Sequence, residues 1–428
     1  MHVLFVHKNF PAQFGHIGRH LVDNHGFGCS FVCELPSANL DGIERIQYKI
    51  AGGATRDTHY CSRTFENATW HAHAVYEAMK ARPDVKPDLV VGHSGFGSSL
   101  FLADLYDCPI VNYFEYYYHS QGSDLDFRTE FPTRELDRLR SRTRNAMIHL
   151  DMQTCQVAYA PTKWQASLLP VEYEQKIEAI FDGIDREVWT RQSDVVRKIG
   201  DRELSPDTKI VTYVSRGFES MRGFDIFMKV AKRICDARDD VVFVCVGSDR
   251  VCYGGDLNRI EEETYREHVL KQDDYDLSRF LFTGRVDPHQ LVDIFSLSDL
   301  HIYLTVPFVL SWSMMNALSC GCTVLASDTE PVQEMIRHGE NGLLAGFFDV
   351  DGFVDQALEV LEDPERFRHL GEAGAAMIEA DYSLDVCLPR MLDLYERARA
   401  STGSSPSSAS DPLRPSLSPS GSTWTPFR

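Results

Sequence analysis

A chain of 428 residues is long enough to divide into two cores, and 43% hydrophobic with 25% charged residues is the composition of an ordinary globular protein. Fibrous, collagen-like and wholly disordered classes are excluded. The formal net charge of -20 and pI near 5.2 repel polyanions over the whole surface, which argues against a nucleic-acid partner.

The opening MHVLFVHKNFPAQF lacks a basic region followed by a longer apolar stretch, and no run approaches about 18 apolar residues, so a cytoplasmic location is expected. Short β-rich runs follow in chain order at Val3–Val6, Leu89–Val91, Ile110–Tyr113 and Ala158–Ala160. A second series runs through Ile210–Val214, Val241–Val246, Leu281–Thr283, Leu300–Tyr303 and Thr323–Ala326, with helical stretches such as Phe224–Asp236 and Leu291–Leu297 between. Apolar strands alternating with amphipathic helices predict parallel sheets covered on both faces. The expected class is α/β, with two Rossmann-like doubly wound domains facing each other across a cleft.

The polar segment Arg202–Thr208, with Ser205-Pro206, reads as the hinge. The expected division is 1–204 for the first domain, 205–382 for the second, 383–400 for a helix crossing back and 401–428 for a Ser/Pro-rich tail that cannot order itself. Eleven cysteines, an odd number without CxxC pairs, read as buried thiols, and the sequon Asn67-Ala68-Thr69 receives no function. The loop after Val3–Val6 reads HKNFPAQFGHIGRH and lacks GxGxxG, so a dehydrogenase reading loses its main support.

Chemistry concentrates where strands end, since ligands of doubly wound sheets bind beyond the strands' carboxyl ends. Ser215-Arg216-Gly217-Phe218-Glu219-Ser220-Met221-Arg222-Gly223 follows the strand Ile210–Val214 and leads into a helix. Two guanidinium groups beside a helix N-terminus suit a phosphate, because both carry or focus positive charge. The turn Val309–Ser313 offers backbone amides at a second helix start. The aromatic stretch Tyr113–His119 divides evenly between acceptor stacking and core packing. Arg134–Arg144, with Arg138, Arg140, Arg142 and Arg144 among acids, reads as a solvated helix in preference to an anion or membrane site.

The segments FVHKNFPAQFGH, PDLVVGHSGFGSSLFL, APTKWQASLLPVEY with FDGID, SRGFESMRGFD, FTGRVDPHQL and LSWSMMNALSCGCTVLAS jointly resemble glycosyltransferase family 4, retaining enzymes of the GT-B fold. The resemblance implies that Arg216 and Arg222 grip the donor diphosphate and that Gly15 lies on the first domain's glycine loop near the phosphate. It implies that His93 lines the sugar pocket, and that Gly284, Arg285 and Val286 lie beside the nucleotide base. Gly217 falls within the phosphate loop, and Leu310, Ser311, Trp312 and Ser313 match the amide-rich turn. The family's two glutamates, eight positions apart, read here as Phe308 and Asn316. Asn316 can still bond a ribose hydroxyl, whereas phenylalanine can do neither job.

The implied activity is transfer from a UDP- or GDP-sugar to a carbohydrate or lipid-linked acceptor, with no cofactor and no metal. Asp124-Leu125-Asp126 fits the letters of a metal motif but is read as an acceptor-side loop. Weak peripheral contact with a membrane is compatible with the arginine-rich helix. The rival readings are a nucleotide-sugar epimerase on the same fold and a non-catalytic scaffold descended from such an enzyme.

Overall fold

The computed structural model describes residues 1–36, 39–95 and 99–402. Its first sheet has seven parallel strands, in the spatial order Ile43–Gln47, Gly28–Cys33, His2–Val6, Leu89–His93, Ile110–Tyr113, Val157–Ala160, Ile177–Ala179. The second has six, ordered Phe280–Gly284, Val241–Ser248, Lys209–Gly217, Leu300–Tyr303, Val324–Ser327, Leu343–Ala345. Both are doubly wound, with the order reversing beside the first strand of each, and that reversal opens a crevice at the carboxyl edge.

Central strands are continuous apolar runs because helices cover both faces. In Val241–Ser248 every residue but the last is buried. The nine strand runs anticipated from sequence are all present, two of them with the same bounds and the rest within three residues at either end. Edge strands such as Ile43–Gln47, where exposed and buried positions mix, gave no comparable apolar run. The helix Phe224–Ala237 buries Phe224, Phe227, Val230, Ala231 and Ile234, the three-to-four spacing that lays one face on the sheet.

Residues Lys198–Ile199 and Arg202–Glu203 pair as a short antiparallel ribbon, and Ile199 and Leu204 pack into the second lobe's core. The last helix, Leu384–Thr402, returns to the first lobe. Its Leu388, Met391, Leu394, Tyr395 and Ala398 share one apolar cluster with Val3, Phe5, Leu21 and Tyr159. Of the Ser401–Arg428 tail, residues 403–428 lie outside the described residues. Among the described residues, no helix is long and apolar enough to cross a membrane.

Candidate active site

The central strand Lys209–Gly217 delivers Arg216 to the carboxyl edge of the second sheet. Gly217 follows because a β-carbon there would lie 2.3 Å from the Arg250 carbonyl oxygen, closer than any side chain tolerates. The chain then turns through Ser220–Arg222 to Gly223, whose φ of 59° is left-handed and whose β-carbon would sit 2.7 Å from that of Leu304.

The two arginines differ in setting. Arg216 is exposed to the cleft and bonds the Tyr253 hydroxyl. Arg222 is buried, with its guanidinium fixed by Tyr303 Oη at 3.2 Å, Thr305 Oγ1 at 2.7 Å and the Val309 carbonyl at 2.9 Å. Those bonds engage three of its five N–H donors and leave Nε and one Nη2 hydrogen for a ligand. Tyr253 lies 5.2 Å from the Arg222 guanidinium and Phe308 lies 5.9 Å from it. Phe308 packs on Tyr253 and on Tyr116 of the first lobe, so the position that the resemblance matches to a family glutamate is part of an aromatic wall.

The wall is pinned from behind. One carboxylate oxygen of fully buried Glu219 accepts the backbone N–H groups of Cys252, Tyr253 and Gly254 at 2.8–3.0 Å. Neither Tyr253 nor Glu219 was singled out from sequence. Tyr253 belongs to a Gly-flanked turn more than thirty residues downstream of Arg216, and only the parallel pairing of the two strands brings them together.

At the second helix start, Ser311 Oγ accepts the Ser313 amide, and the Ser311 amide donates to Tyr303 Oη at 2.9 Å. Two amides of the Leu310–Ser313 turn are therefore engaged internally, while Tyr303 ties the turn to Arg222. Trp312 stacks with His16 of the first lobe at 6.2 Å, directly after Gly15, which starts the helix Gly15–His25. Asn316 is buried on the following turn, and its Oδ1 has no hydrogen-bond partner. Such an acceptor is costly unless a ligand supplies the donor.

From the first lobe, His93 ends the strand Leu89–His93 and is 2% exposed. Its Nδ1 lies 2.7 Å from the Ser94 carbonyl, which assigns the proton to Nδ1 and leaves Nε2 as an acceptor, 3.8 Å from Glu115. Burial, with His7 at 4.9 Å, holds the imidazole well below its usual value and keeps it neutral. Glu115 retains 40% of its side-chain surface, yet enclosure between the lobes raises its carboxyl, and the charges of Arg216 and Arg222 oppose the rise. Asp182 is buried beside it. Burial and the Glu115 charge push its carboxyl up to about 8, against hydrogen bonds from Trp312 and Tyr113.

Around the cleft stand Gly15 beside His16, His93, Arg216, Gly217, Arg222 and Leu310–Ser313, with Asn316 buried one turn further along its helix. Gly284 ends the strand Phe280–Gly284 at the same carboxyl edge, one strand beyond Val241–Ser248. Arg285 lines an open cavity of about 1350 Å³ against Gln192–Arg202, and among the described residues no hydrogen bond, ion pair or ring contact joins it to the arginine pair. In the Asp124-Leu125-Asp126 stretch, Asp124 accepts the Tyr116 hydroxyl and Asp126 accepts the Gly122 and Ser123 amides. The expectation of a simply solvated Arg134–Arg144 helix needs correction. Arg138 and Arg142 are exposed, but Arg140 and Arg144 are half-buried because the Tyr60 and Tyr118 rings hold them at 4.7 and 3.5 Å.

Two family profiles match the chain: one described as Glycosyl transferase family 4 group over residues 25–188, and one described as Glycosyl transferases group 1 over residues 196–377. Among curated proteins, it is 25% identical over 225 residues to N-acetyl-alpha-D-glucosaminyl L-malate synthase of Bacillus anthracis, covering 53% of this chain and 55% of that one. It is 24% identical over 228 residues to the GDP-mannose-dependent monoacylated alpha-(1-6)-phosphatidylinositol monomannoside mannosyltransferase of Corynebacterium glutamicum, covering 51% and 56%. The chain thus spans about half the length of the curated relatives it matches.

Among solved structures, sucrose-phosphate synthase of Thermosynechococcus elongatus superposes with a TM-score of 0.70 at 15% identity, over 94% of this chain and 100% of that one. HepE of Anabaena, solved with UDP-glucose, gives 0.68 at 12% identity, over 93% and 100%. Two facing Rossmann-like lobes with a site at their opposed strand edges define the GT-B class. Within that class, the chain belongs to the family 4 glycosyltransferases.

Proposed function

We propose that the protein transfers a sugar from a nucleoside-diphosphate sugar to a hydroxyl acceptor, with retention of anomeric configuration and without a metal. The observation that carries this is the buried Arg222, fixed by three hydrogen bonds with two donors left over and paired with the exposed Arg216 across from His93 and Glu115. Transfer breaks the bond between the anomeric carbon and the leaving phosphate oxygen. Charge separates as the sugar turns cationic and the diphosphate turns more anionic. Cations already oriented toward that diphosphate lower the barrier without reorganising.

Neutral His93, with Nε2 as acceptor, bonds a hydroxyl of the transferred sugar. The acceptor oxygen approaches on the leaving-group face, and its proton passes to the departing phosphate oxygen, so no glycosidase-like carboxylate pair is needed. Asn316 Oδ1, lacking a protein partner, accepts from a ribose hydroxyl. That unpaired acceptor favours a pocket that still takes a ligand. The protein's likeness in fold to HepE, which was solved with UDP-glucose, makes UDP the first nucleotide to try.

Calorimetric titration with UDP and GDP should show binding of one of them by the parent and a loss of about tenfold or more in Arg216→Ala, as one charge-assisted contact is worth about 1.5–3 kcal/mol. Equal affinity in the variant would refute the donor site. Transfer should survive EDTA, and proton NMR of the product should show the donor's anomeric configuration.

A further inference from the structure

Beside the donor cleft, across Tyr253, lies a second cavity of about 700 Å³ between the helix Glu135–Arg144 of the first lobe and the turn Gly254–Arg259 of the second. Its size suits a small molecule. Arg128 and Arg134 on its wall are neutralised, the first by Asp225 and Glu130 and the second by Asp137. Arg140, Arg144 and Arg259 also line it, and none of the three forms an ion pair among the described residues.

Instead each guanidinium rests on an aromatic ring: Arg140 on Tyr60 at 4.7 Å, Arg144 on Tyr118 at 3.5 Å and Arg259 on Phe131 at 5.0 Å. Arg140 also donates to Tyr60 Oη and Thr64 Oγ1 at 3.1 and 3.0 Å. The Nε atoms of Arg140 and Arg144 are buried without partners. The cavity's remaining acids are occupied too, Asp124 by the Tyr116 hydroxyl and Asp256 by the Ser220 amide and hydroxyl. Stacking holds a guanidinium's plane and leaves its edge, where the N–H fork lies, for an anion. Asp124 and Asp137 stand close enough to feel the charges of Arg144 and Arg140, yet among the described residues neither comes within ion-pair distance of the three arginines.

We propose that this cavity is the acceptor subsite and that the acceptor is an alcohol carrying a compact oxyanion, a phosphate or a carboxylate, rather than a neutral sugar. The proposal rests on the donor reading above, because Tyr253 is the partition between the two sites: it lines this cavity and stands over Arg222. An alcohol whose anion is held by Arg140, Arg144 and Arg259 has its hydroxyl end left to face the cleft.

The test is a titration of the full chain with glycerol 3-phosphate, malate and glycerol, and flotation with phosphatidylglycerol vesicles. At least one of glycerol 3-phosphate, malate and the vesicles should bind while glycerol does not, and which one does separates a soluble phosphate, a carboxylate and a lipid headgroup. Binding should weaken about tenfold in Arg144→Gln and in Arg259→Gln, the loss of one charge-assisted contact, but not in Arg216→Ala. Arg259 is exposed, so its variant keeps the fold if Arg144→Gln does not. Binding of glycerol as tight as of the anions, no anion binding, or loss only in Arg216→Ala overturns the proposal. A UDP titration of the parent is read separately: oxyanion binding without UDP binding refutes the donor reading and leaves the anion site standing.

Discussion

Arg222 and Arg216 both face the cleft, but their removal has different consequences. Arg216→Ala deletes an exposed side chain, whereas Arg222→Ala strands the buried Thr305 Oγ1 and the half-buried Val309 carbonyl, so it costs fold stability as well as affinity. Asn316 behaves in the opposite sense. Its Oδ1 is a standing penalty in the ligand-free protein, so Asn316→Leu, close in volume and apolar, should raise the melting temperature while weakening donor binding by about tenfold. A melting temperature that falls together with unchanged donor affinity would show that this acceptor meets no ligand. Asp182 gives a pH signature. Its folded carboxyl, near 8, lies above the unfolded value, so between about pH 4 and 8 the native state holds a proton that the unfolded chain releases. Stability from this group is greatest at low pH and falls as pH rises through the window, at up to about 1.4 kcal/mol per pH unit. Urea midpoints for the parent and Asp182→Asn should converge at pH 5 and diverge by pH 8, with the variant the more stable; parallel curves would contradict the shift.

At the scale of elements, the site depends on backbone approaches that only glycine permits. Gly217→Ala pushes a β-carbon into the Arg250 carbonyl and against Cys252 Sγ, so the strand end or the Tyr253 turn must move, at a cost of about 1–3 kcal/mol. Denaturant unfolding measures that loss, and full stability with intact UDP binding would show that the contact is slack. The central strands were legible in sequence because burial on both faces makes them unbroken apolar runs, and the two-arginine loop was legible because it follows one of them. The aromatic wall was not. Tyr116, Tyr253 and Phe308 come from three separate loops, and no periodicity links residues that meet only across two sheets and a cleft. Arg140 and Arg144 were misread for a related reason: their helix alternates charges like a solvated one, and the rings that cover them belong to other segments.

Across the whole molecule, the lobes meet through a few strong contacts around the cleft. Arg128 of the first lobe reaches Asp225 with bonds of 2.9 and 2.6 Å and also donates to the Ser220 carbonyl. On the opposite side, the Glu334 carboxylate accepts the Lys163 and Trp164 amides at the start of the helix Lys163–Ser167. Arg128→Ala leaves Asp225 buried without its partner, which costs about 3–5 kcal/mol and loosens the lobes on the Tyr253 side. Small-angle scattering should record a larger radius of gyration for this variant, and an unchanged radius with unchanged stability would make the pair incidental. The helix Leu384–Thr402 has a consequence of another kind. Because Leu388, Leu394 and Tyr395 complete the first lobe's core, that lobe has an open apolar face for as long as the ribosome is still making the second. The lobe synthesised last is therefore the first able to close, and the one synthesised first waits for residues near 398 to emerge. A nascent chain arrested anywhere before that point presents Phe5, Leu21 and Tyr159 to whatever chaperone or protease samples it.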